Sequence, residues 1–562
     1  MKNEDQQIQK HKEALEKGKK IGTEKSPEEL QLSPTAQKVL RVIMTILILG
    51  ILGLNLWVFR IPLFRIDSLG FLVYLNAWFI GLVVLFALWG PKIKAWIYFA
   101  LPGGLIFLTV FYVIVTSGIT GATARYELIG DVEVKEFSED MKVVDTERLR
   151  ILDREDALRH GENRLGSESG LGSQFELDAQ NFTLQVIEGE LFWSAPLAHR
   201  GFVRWWNNRE GTPGYIKVNA TTRDTELVLD QPIRFTESAH LHDNIRRYVY
   251  FNHSMTARYT DFSFQLDDQG APHYAITVFE GDRGVHGNNV EGLLVVHAGT
   301  GDMVFYEEGE EYPSWIDRVY PKSFFEERVS WWGRYPNGWF NPSNEGQLRP
   351  STGLNVVYND GKAYFYTGIT SWGGDESTTG FMLMNSKTGE ATYYQVSGAT
   401  ERKAMGIAEG RVQNAGYTAT FPVLINIGGH PTYFMTLKDQ NNHIAEYAFV
   451  NVEDYLRSGV SRNIETAQGE YMVEMGLRTD TGFIIDESEL QEVEGIIRRI
   501  NSITLEGDTY FYFMLEDDPE IYRVAFKNHP TTVLTHEGDR VKIQYLSSED
   551  NEVRIFSNNS IR

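Results

Sequence analysis

The stretch FSFQLDDQGAPHYAITVFE at residues 262–280, followed by EGLLVVHAGTGDMVFY at 291–306, decides the fold of this chain. Runs of Val, Ile, Phe and Tyr between turns rich in Gly and Asp are typical of antiparallel strands. The turn that contains Gly270, Pro272 and Tyr274 supplies one tight connection between them. The stretch therefore predicts a β-meander.

The same plan of strand, tight turn, strand, loop and strand recurs twice downstream. The second copy is LNVVYNDGKAYFYTGITS at 354–371 with GFMLMNSKTGEATYY at 380–394. The third is FPVLINIGGHPTYFMTLKD at 421–439 with IAEYAFVNVEDYL at 444–456. The first turn is G-x-P-x-Y in copies one and three and is shortened in copy two. Its residues in copies two and three are Gly361 and Tyr364, and Gly429, Pro431 and Tyr433.

A helix is predicted before each meander. Asp243 is placed to cap a helix that ends at Asn252, Ser323–Trp332 begins with a capping-box pair, and Thr400 is placed to cap a helix that ends at Val412. The spacing between copies is unequal, whereas a solenoid needs a fixed period, so diverged tandem domains fit better. The predicted units are 236–320, a degenerate unit 321–398, and 399–475.

The unit consists of a helix, a D-x-G-x-P-x-Y turn between strands, and a last strand after T-G. It resembles the PepSY-type module. The match covers residues 238–310 and 399–456, with 351–395 as the degenerate copy. The module occurs in exported and membrane-anchored bacterial proteins, sometimes in protease propeptides. The resemblance implies an extracytoplasmic binding or inhibitory module, and it brings no active site with it.

The N-terminal part contains three uncharged stretches after a polar tail at 1–41. They are Val42–Phe59, Ser68–Pro91 and Ala95–Ala124, each long enough to cross a membrane as a helix. A cleaved signal peptide fits the first stretch poorly, because about 40 polar residues precede it. Residues 42–124 are therefore predicted to form three transmembrane helices. They contain no ionisable residue inside a span, which favours an anchor over a transporter.

Charge predicts the orientation of this anchor. The tail carries nine Lys and Arg residues, and the two loops carry two each. A cytoplasmic tail then places everything after residue 124 outside the cytoplasm. The tail contributes +2 and the loops +3 to the net charge of −23, so the region that follows carries about −28. This argues against nucleic acid as a partner, and the absence of cysteine excludes disulfides and thiolate chemistry.

Two regions flank the repeats. Residues 125–235 are predicted to be a juxtamembrane β-rich region with a charged helix at 146–165. Residues 488–562 are predicted to begin with a short helix, Glu489–Val493, and to form an OB-like small barrel of five strands. The fold class is therefore α+β, with a three-helix transmembrane anchor, a β-rich ectodomain of helix-plus-meander units, and a C-terminal OB-like barrel.

A search for catalytic chemistry gives no nucleotide-binding loop, zinc-protease motif or serine-hydrolase elbow. His240 and His242 have a spacing that metal sites use, but two ligands arise easily by chance and the segment is placed to cap a helix. We predict no metal and no cofactor.

The remaining signals are acidic and aromatic. The candidate binding residues are Trp315, Trp331, Trp332, Trp339, Glu308 and Glu311. Rings stack on sugars or on protein partners, and paired carboxylates serve glycan hydrolysis. The competing interpretations are core packing for the rings and a solvated turn for the carboxylates.

The preferred hypothesis is a membrane-anchored extracytoplasmic binding or scaffold protein of the bacterial envelope, with a protein or glycan partner. An envelope glycan-processing enzyme that uses residues 307–340 is the alternative, and a protease-inhibitory or chaperone-like role follows only from the resemblance. The oligomeric state is left open.

Overall fold

The computed structural model describes residues 33–54, 63–65, 67–89, 95–116, 118–142, 149–168, 170–281, 287–359, 361–373, 377–412, 416–477, 490–505, 508–526, 529–546 and 551–558 of the 562-residue chain. The chain forms two compact units, Met1–Val113 and Ile114–Arg562. Helices and β-rich sheets occur together, so the predicted mixed α+β content is confirmed.

The first unit contains apolar helices. They are α1 (Pro34–Leu54), α2 (Leu69–Trp89) and α3 (Ala95–Val115), the last of which ends just beyond the unit boundary. Two stretches, Pro34–Gly53 and Leu69–Trp89, are long and apolar enough to cross a membrane, a property that anchoring helices share with signal sequences. In α3 the apolar stretch measured by the same test is the shorter Pro102–Val115.

Close backbone approach and polar bonds hold these helices together. Gly81 of α2 lies against α1, where an added Cβ would be 2.7 Å from Cδ1 of Leu52. Trp89 Nε1 donates to Thr45 Oγ1 at 2.9 Å, and Asn76 Nδ2 donates to Thr109 Oγ1 at 3.0 Å. Small residues and interhelical hydrogen bonds are the usual contacts of helices packed in an apolar environment.

The second unit begins with short elements. They are α4 (Gly118–Glu127), β1 (Glu133–Lys135), α5 (Phe137–Asp140) and α6 (Arg154–Ser167). The side chain of Asp153 caps α6 by accepting a hydrogen bond from the Asp156 amide at 2.8 Å. The helix predicted at 146–165 therefore begins later and ends slightly beyond the predicted limit.

Four sheets follow along the chain, antiparallel throughout except where β1 pairs with β16 in parallel. Sheet I contains β2 (Phe175–Leu177), β3 (Thr183–Ile187), β4 (Glu190–His199), β5 (Tyr215–Asn219) and β6 (Thr225–Val228), with α7 (Phe202–Asn207) between β4 and β5. Sheet II follows α8 (Ile245–Asn252) and contains β7 (Arg258–Leu266), β8 (Pro272–Glu280), β9 (Asn289–His297) and β10 (Met303–Glu307). Sheet I is thus a fourth meander, in the region predicted only as β-rich.

Sheets III and IV complete the series. Sheet III follows α9 (Lys322–Arg334) and contains β11 (Leu348–Pro350), β12 (Asn355–Asn359), β13 (Lys362–Ser371), β15 (Gly380–Asn385), β16 (Ala391–Tyr394) and β1, while β14 (Ser377–Thr378) pairs with β17 (Gly398–Ala399). Sheet IV follows α10 (Glu401–Arg411) and contains β18 (Thr418–Ala419), β19 (Val423–Ile427), β20 (His430–Lys438), β21 (Ile444–Asn451) and β22 (Ser458–Ser461), and α11 (Ile464–Glu474) packs behind it.

The C-terminal strands close into a barrel. They are β23 (Leu490–Leu505), β24 (Asp508–Leu515), β25 (Ile521–Ala525), β26 (Arg540–Leu546) and β27 (Glu552–Asn558), in the order β23-β24-β25-β27-β26. Short 3₁₀ helices cover Ala179–Asn181, Leu241–Asp243 and Pro530–Leu534. The helix predicted at Glu489–Val493 is wrong, because Leu490 opens the long strand β23, which pairs on both sides.

Of the predicted helix caps, Thr400 is confirmed, since its side chain accepts from the Lys403 amide at 3.3 Å. The prediction for Asp243 is wrong: Asn244 caps α8 instead. Asp243 is buried and paired with Arg209 and Arg234, at 3.4 and 3.0 Å. The cation partners explain why this carboxylate is not available to the helix.

The structure also corrects the predicted start of α9. This helix begins at Lys322 after Pro321, so Ser323 lies inside it and makes no cap. The predicted turn residues occupy turns: Gly270, Gly361 and Gly429 have φ of 78°, 73° and 83°, a backbone conformation that favours glycine.

The prolines and tyrosines of these turns belong to the strands that follow. Pro272 opens β8, and Pro431 is the second residue of β20. Tyr274 and Tyr433 are fully buried, whereas Tyr364 is half-buried. The G-x-P-x-Y pattern thus combines a glycine for the turn with a tyrosine that anchors the next strand in the core.

Neighbouring sheets share hydrophobic cores. One core joins sheets I and II, a second joins II and III, and a third joins III and IV. Sheet IV returns to sheet I, where Lys438 of β20 forms ion pairs with Asp153 and Asp156 at the start of α6. The sheets therefore follow one another round a closed ring, like the blades of a β-propeller.

One strand of each sheet lies inside this ring, and these strands are β3, β7, β12 and β19. Gln185 of β3 bonds both backbone groups of Leu266 in β7, at 2.9 and 3.1 Å. Tyr358 of β12 donates to the Leu184 carbonyl at 3.2 Å, and Asn355 donates to the Pro422 carbonyl that precedes β19. These polar side chains satisfy strand edges that would otherwise lie unpaired.

Candidate functional site

A cleft of about 650 Å³ opens between sheets III and IV. This volume lies within the range of small-molecule sites. Most of the residues that line it carry a hydroxyl group or a charge. The lining residues are Arg349, Pro350, Ser351, Thr352, Thr370, Thr400, Glu401, Arg402, Lys403, Gly406 and Ile407.

Strand pairing builds the wall on the side of sheet III. Arg349 of β11 lies opposite Thr370 of β13 in the antiparallel register. Beyond β11, the Ser351 amide donates to the Gly368 carbonyl at 2.7 Å. The register places the guanidinium and two hydroxyl side chains, Ser351 and Thr370, along one wall of the cleft.

Glu401 lies at the base of the cleft and is fully buried. Its carboxylate accepts hydrogen bonds from the Ser351 hydroxyl at 2.7 Å and from the Gly368 amide at 2.8 Å. Glycine is required at position 368, because a Cβ there would be 2.8 Å from the carboxylate. Burial raises the pKa of Glu401, and the two hydrogen bonds oppose this shift.

The segment that leads into α10 forms the opposite wall and is attached to sheet IV. Tyr433 donates to the Ala399 carbonyl at 3.1 Å, and the Ala399 amide donates to the Val452 carbonyl at 2.8 Å. Thr400 then caps the helix. Because Glu401 reaches back to sheet III, this one turn of chain fixes the width of the cleft.

Three cations line the cleft: Arg349, Arg402 and Lys403. They outnumber the single buried carboxylate of Glu401, although the region after residue 124 carries about −28. Arg guanidinium groups bind carboxylate and phosphate oxygens through paired hydrogen bonds, and the hydroxyl side chains offer further donors. The arrangement is suited to holding an anion that carries hydroxyl groups.

The cleft lacks the pair of carboxylates that glycan hydrolysis uses. Glu401 is the only carboxylate among the lining residues that the structure describes. Retaining and inverting glycosidases both need a second one across the substrate. The chemistry of the cleft therefore favours binding over hydrolysis.

The predicted aromatic candidates do not converge on one site. Trp315 and Trp332 are half-buried against the core shared by sheets II and III, where Trp332 lies beside the Tyr393 ring. The Arg125 guanidinium lies 5.2 Å from the ring centre of Trp331. Trp339 is 54% exposed, beside Phe340. Three of the four tryptophans thus contribute to packing.

The predicted acidic candidates lie in the exposed turn after β10. Glu308 accepts a hydrogen bond from the Tyr320 hydroxyl at 2.8 Å. Burial, followed by this carboxylate, raises the pKa of Tyr320. Glu311 is exposed and lies near Lys387. Its negative charge favours the charged form of Lys387. The two carboxylates have different neighbours and do not line the cleft.

No group of three or more His, Cys, Asp or Glu side chains that could hold a metal ion occurs among the described residues. The His240 ring contacts Phe202 and Trp205 instead. Sequence reasoning missed the cleft. The run Thr400-Glu401-Arg402-Lys403 is its one signal in the sequence, and only the Thr400 cap was predicted from it.

Comparisons with known proteins identify no family. No family model and no curated protein matches the chain. Among solved structures, a Bombyx mori GH32 β-fructofuranosidase aligns with a TM-score of 0.17 at 12% identity, covering 72% of this chain and 70% of that one. A B. megaterium levansucrase aligns at 0.16 and 8%, covering 77% and 97%. An exo-1,5-α-L-arabinanase from a bovine ruminal metagenomic library aligns at 0.15 and 8%, covering 67% and 95%. Similarities this weak carry no argument.

Proposed function

We propose that this chain is a membrane-anchored, extracytoplasmic binding protein of the bacterial cell envelope. Its second unit would hold an anionic, hydroxyl-bearing ligand in the cleft between sheets III and IV. The observation that carries the proposal is the gathering of Arg349, Arg402 and Lys403 with four hydroxyl side chains around one recess. An acidic glycan or a polyol phosphate has the required chemistry.

The anchor rests on the apolar N-terminal helices. We include α3 as a third span, since α3 has 21 residues and the uncharged sequence extends from Ala95 to Ala124. The excess of Lys and Arg in the tail supports a cytoplasmic N-terminus, and three spans then place the second unit outside. The PepSY-like turns are compatible with an exported module.

We also propose that the C-terminal barrel is OB-like. Five strands closed in the order first, second, third, fifth and fourth, with β25 parallel to β27, support this assignment. The net charge of residues 489–562 is −6 in the sequence, so a protein contact suits this barrel better than nucleic acid.

Ligand binding tests the cleft. The full chain in lipid nanodiscs would be titrated with poly(glycerol phosphate), polygalacturonate and neutral dextran. We expect the two polyanions to bind and dextran not to bind. Replacing Arg349 or Arg402 by Gln should weaken binding about tenfold each, the value of one charge-assisted hydrogen bond.

The control is Arg462→Gln, which removes an exposed arginine that follows β22 outside the cleft. It should leave affinity unchanged. Binding that is equally strong in the Arg349 and Arg402 variants would show that the anion lies elsewhere, and the absence of binding to either polyanion would contradict the proposed ligand class.

Topology needs its own experiment. The chain contains no cysteine, so a single introduced cysteine reports accessibility without a background. A cysteine at the exposed position Val304 should react with an impermeant maleimide in intact cells, whereas one at Lys10 should react only after lysis. The reverse pattern would overturn the proposed orientation.

Glycan processing at residues 307–340 is the second proposal. The exposed Trp339 and Phe340, which lie side by side, favour it because such rings stack on sugars. Alanine variants of Glu308, Glu311 and Trp332 that retain the turnover of envelope glycans would eliminate it.

A further inference from the structure

The helix α7 of sheet I presents an unusual surface. Phe202, Val203 and Trp206 are 51%, 69% and 54% exposed, side by side on one short helix. Adjacent large apolar side chains this exposed mark an interaction surface more often than chance. We call this surface, with its flanking arginines, the α7 face.

The α7 face has a rigid base. Trp205 is buried between Phe202, Trp206 and His240. The Arg209 guanidinium stacks on Trp205 at 4.3 Å and lies 3.4 Å from the buried Asp243 carboxylate. The apolar side chains are therefore held outward by packing, which makes their exposure a fixed property of the fold.

Arginine is the main charge on and beside the α7 face, where Glu176 lies 3.8 Å from Arg200 and Glu210 follows Arg209. Residues 199–209 contain Arg200, Arg204 and Arg209 and no acidic residue, within a region that carries about −28. Arg204 donates to the Arg200 carbonyl at 2.9 Å and is exposed. Aromatic rings next to arginines are the composition of segments that lie at a membrane–water interface.

We propose that the α7 face docks on an anionic lipid bilayer, with Phe202, Val203 and Trp206 among the headgroups and Arg204 at a lipid phosphate. The inference rests on the membrane anchor of the proposed function. Tethering keeps the second unit at a high local concentration near the bilayer, so a small surface is sufficient for docking. Arginine binds phosphate through paired hydrogen bonds. Its positive charge favours a bilayer of net negative charge over a zwitterionic one.

A second exposed apolar surface provides the contrast. Val304 on the edge strand β10 is 52% exposed, next to Phe305. The acidic turn Glu307–Glu311 follows it directly, so an anionic bilayer would repel this surface. Val203 and Val304 are thus matched valines in opposite electrostatic surroundings.

The cysteine-free chain allows a direct test. Val203→Cys and Val304→Cys would each be labelled with an environment-sensitive fluorophore in the full chain. Nanodiscs would contain phosphatidylcholine alone or with phosphatidylglycerol, and quenchers would be placed either in the lipid or in water. We expect the label at 203 to shift to the blue and to be quenched from the lipid only with phosphatidylglycerol. The label at 304 should remain accessible to the aqueous quencher.

A second variant tests the charge. Arg204→Gln should lower the ratio of docked to undocked chains about fivefold. Added salt should also lower this ratio. Equal lipid quenching at 203 and 304 would overturn the proposal. So would a label at 203 that is shielded from water without lipid quenching, since a protein surface would then cover the α7 face. Retention of the chain in membranes after alkaline carbonate washing tests the anchor separately.

Discussion

Two junctions in the ring of sheets are built in different ways. Sheets II and III meet through an apolar core in which Phe325 and Phe365 stack with ring centres 6.0 Å apart. Sheets IV and I meet mainly through charged and polar side chains, beside the apolar contact of Ile444 in β21 with the core of sheet I. Lys438 pairs with Asp153 and Asp156, and Arg223 donates to the Tyr447 hydroxyl at 2.5 Å.

The difference follows the order of the chain. Sheets II and III are consecutive, whereas sheets IV and I are separated by the rest of the ring and meet only when it closes. An apolar surface is non-directional. A buried ion pair demands one geometry and penalises any other. We infer that the apolar junctions supply most of the stability, and that the charged junction fixes the register in which the ring closes.

The largest expected effect is at the apolar junction. Phe325 is fully buried, so Phe325→Ala should lower the free energy of unfolding by about 3–5 kcal/mol. Urea unfolding of the detergent-solubilised chain, followed by tryptophan fluorescence, measures it. The exposed Phe340→Ala is the control and should change stability by less than about 0.5 kcal/mol. Equal effects in the two variants would contradict the assigned core.

The charged junction should lose about 3 kcal/mol in Lys438→Met at neutral pH, because the ion pairs of Lys438 with Asp153 and Asp156 are both lost and the buried Asp156 carboxylate keeps only Arg159 as a cation partner. Burial opposes the charge on Lys438, but the hydrogen bonds to both aspartates outweigh it and raise its pKa. The pair therefore contributes stability throughout the neutral range, and this contribution is lost only in alkali.

The matched control is the surface pair of the half-buried Lys217 with the exposed Glu226, at 2.8 Å. Lys217→Met should lower stability by less than about 1 kcal/mol. The loss in Lys438→Met should shrink in alkali, where Lys438 itself loses its proton in the natural chain. A loss that is independent of pH would show that Lys438 acts through packing alone.

Asp317 lies where sheets I, II and III meet. It accepts a hydrogen bond from the Val186 amide at 2.7 Å, and its own carbonyl accepts from Ser386. Burial raises its pKa from 3.8 to about 6, although Lys387 and Arg318 favour the charged form. A raised carboxyl pKa means that the folded state loses stability as pH rises between these two values.

Asp317→Asn keeps an oxygen that can accept the Val186 hydrogen bond and removes the buried charge. The free energy of unfolding of the natural chain, taken relative to that of the variant, should therefore fall by up to ~3 kcal/mol as the pH rises from about 4 to about 7. Unfolding free energies of both chains across this range measure the difference. A constant difference would mean that this carboxyl does not titrate in the folded state as described.

Three of the four sheets were predictable because their strands alternate and their turns carry glycine. Sheet I was missed as a repeat because Glu188 and Arg223 occupy left-handed turn positions, at φ of 52° and 73°. Corresponding turns in sheets II and III carry Gly301 and Gly389 at φ of 83° and 78°. Tertiary packing holds the two non-glycine residues in a conformation that sequence rules assign to glycine.

A second feature that the four sheets share cannot be recognised from the sequence. The side chains at the ends of the third strands of the meanders accept hydrogen bonds from turn amides, at 2.7–3.1 Å. They are Asn219, His297, Asn385 and Asn451. Asparagine and histidine share this role only because both present an acceptor at the same distance from the backbone, which letter identity does not reveal.

The cleft could not have been predicted in this way. Glu401 obtains its partners from Ser351 and Gly368, which are 50 and 33 residues earlier in the chain. Such contacts depend on how two sheets pack, which no local pattern encodes. The aromatic cluster misled for the complementary reason: dense tryptophans in the sequence indicate a large buried surface as readily as a binding site.

The smallest expected effect is at the hairpin between β3 and β4, where the sequence did not reveal sheet I as a repeat. Glu188 and Gly189, at φ of 52° and 84°, join β3 to β4, and Gly428 and Gly429 join β19 to β20 at φ of 58° and 83°. Two-residue turns of this kind favour asparagine before glycine. Glu188→Asn should therefore stabilise the chain by about 0.5–1 kcal/mol.

Glu188→Ala, which relieves nothing at this φ, is the control for Glu188→Asn. The hairpin lies outside both junctions, so the gain should add to the losses in Phe325→Ala and Lys438→Met within about 0.5 kcal/mol. Additivity with the first variant but not with the second would show that the closing junction is coupled to the hairpin of sheet I. The charged junction would then have to be regarded as one energetic unit with the whole of sheet I.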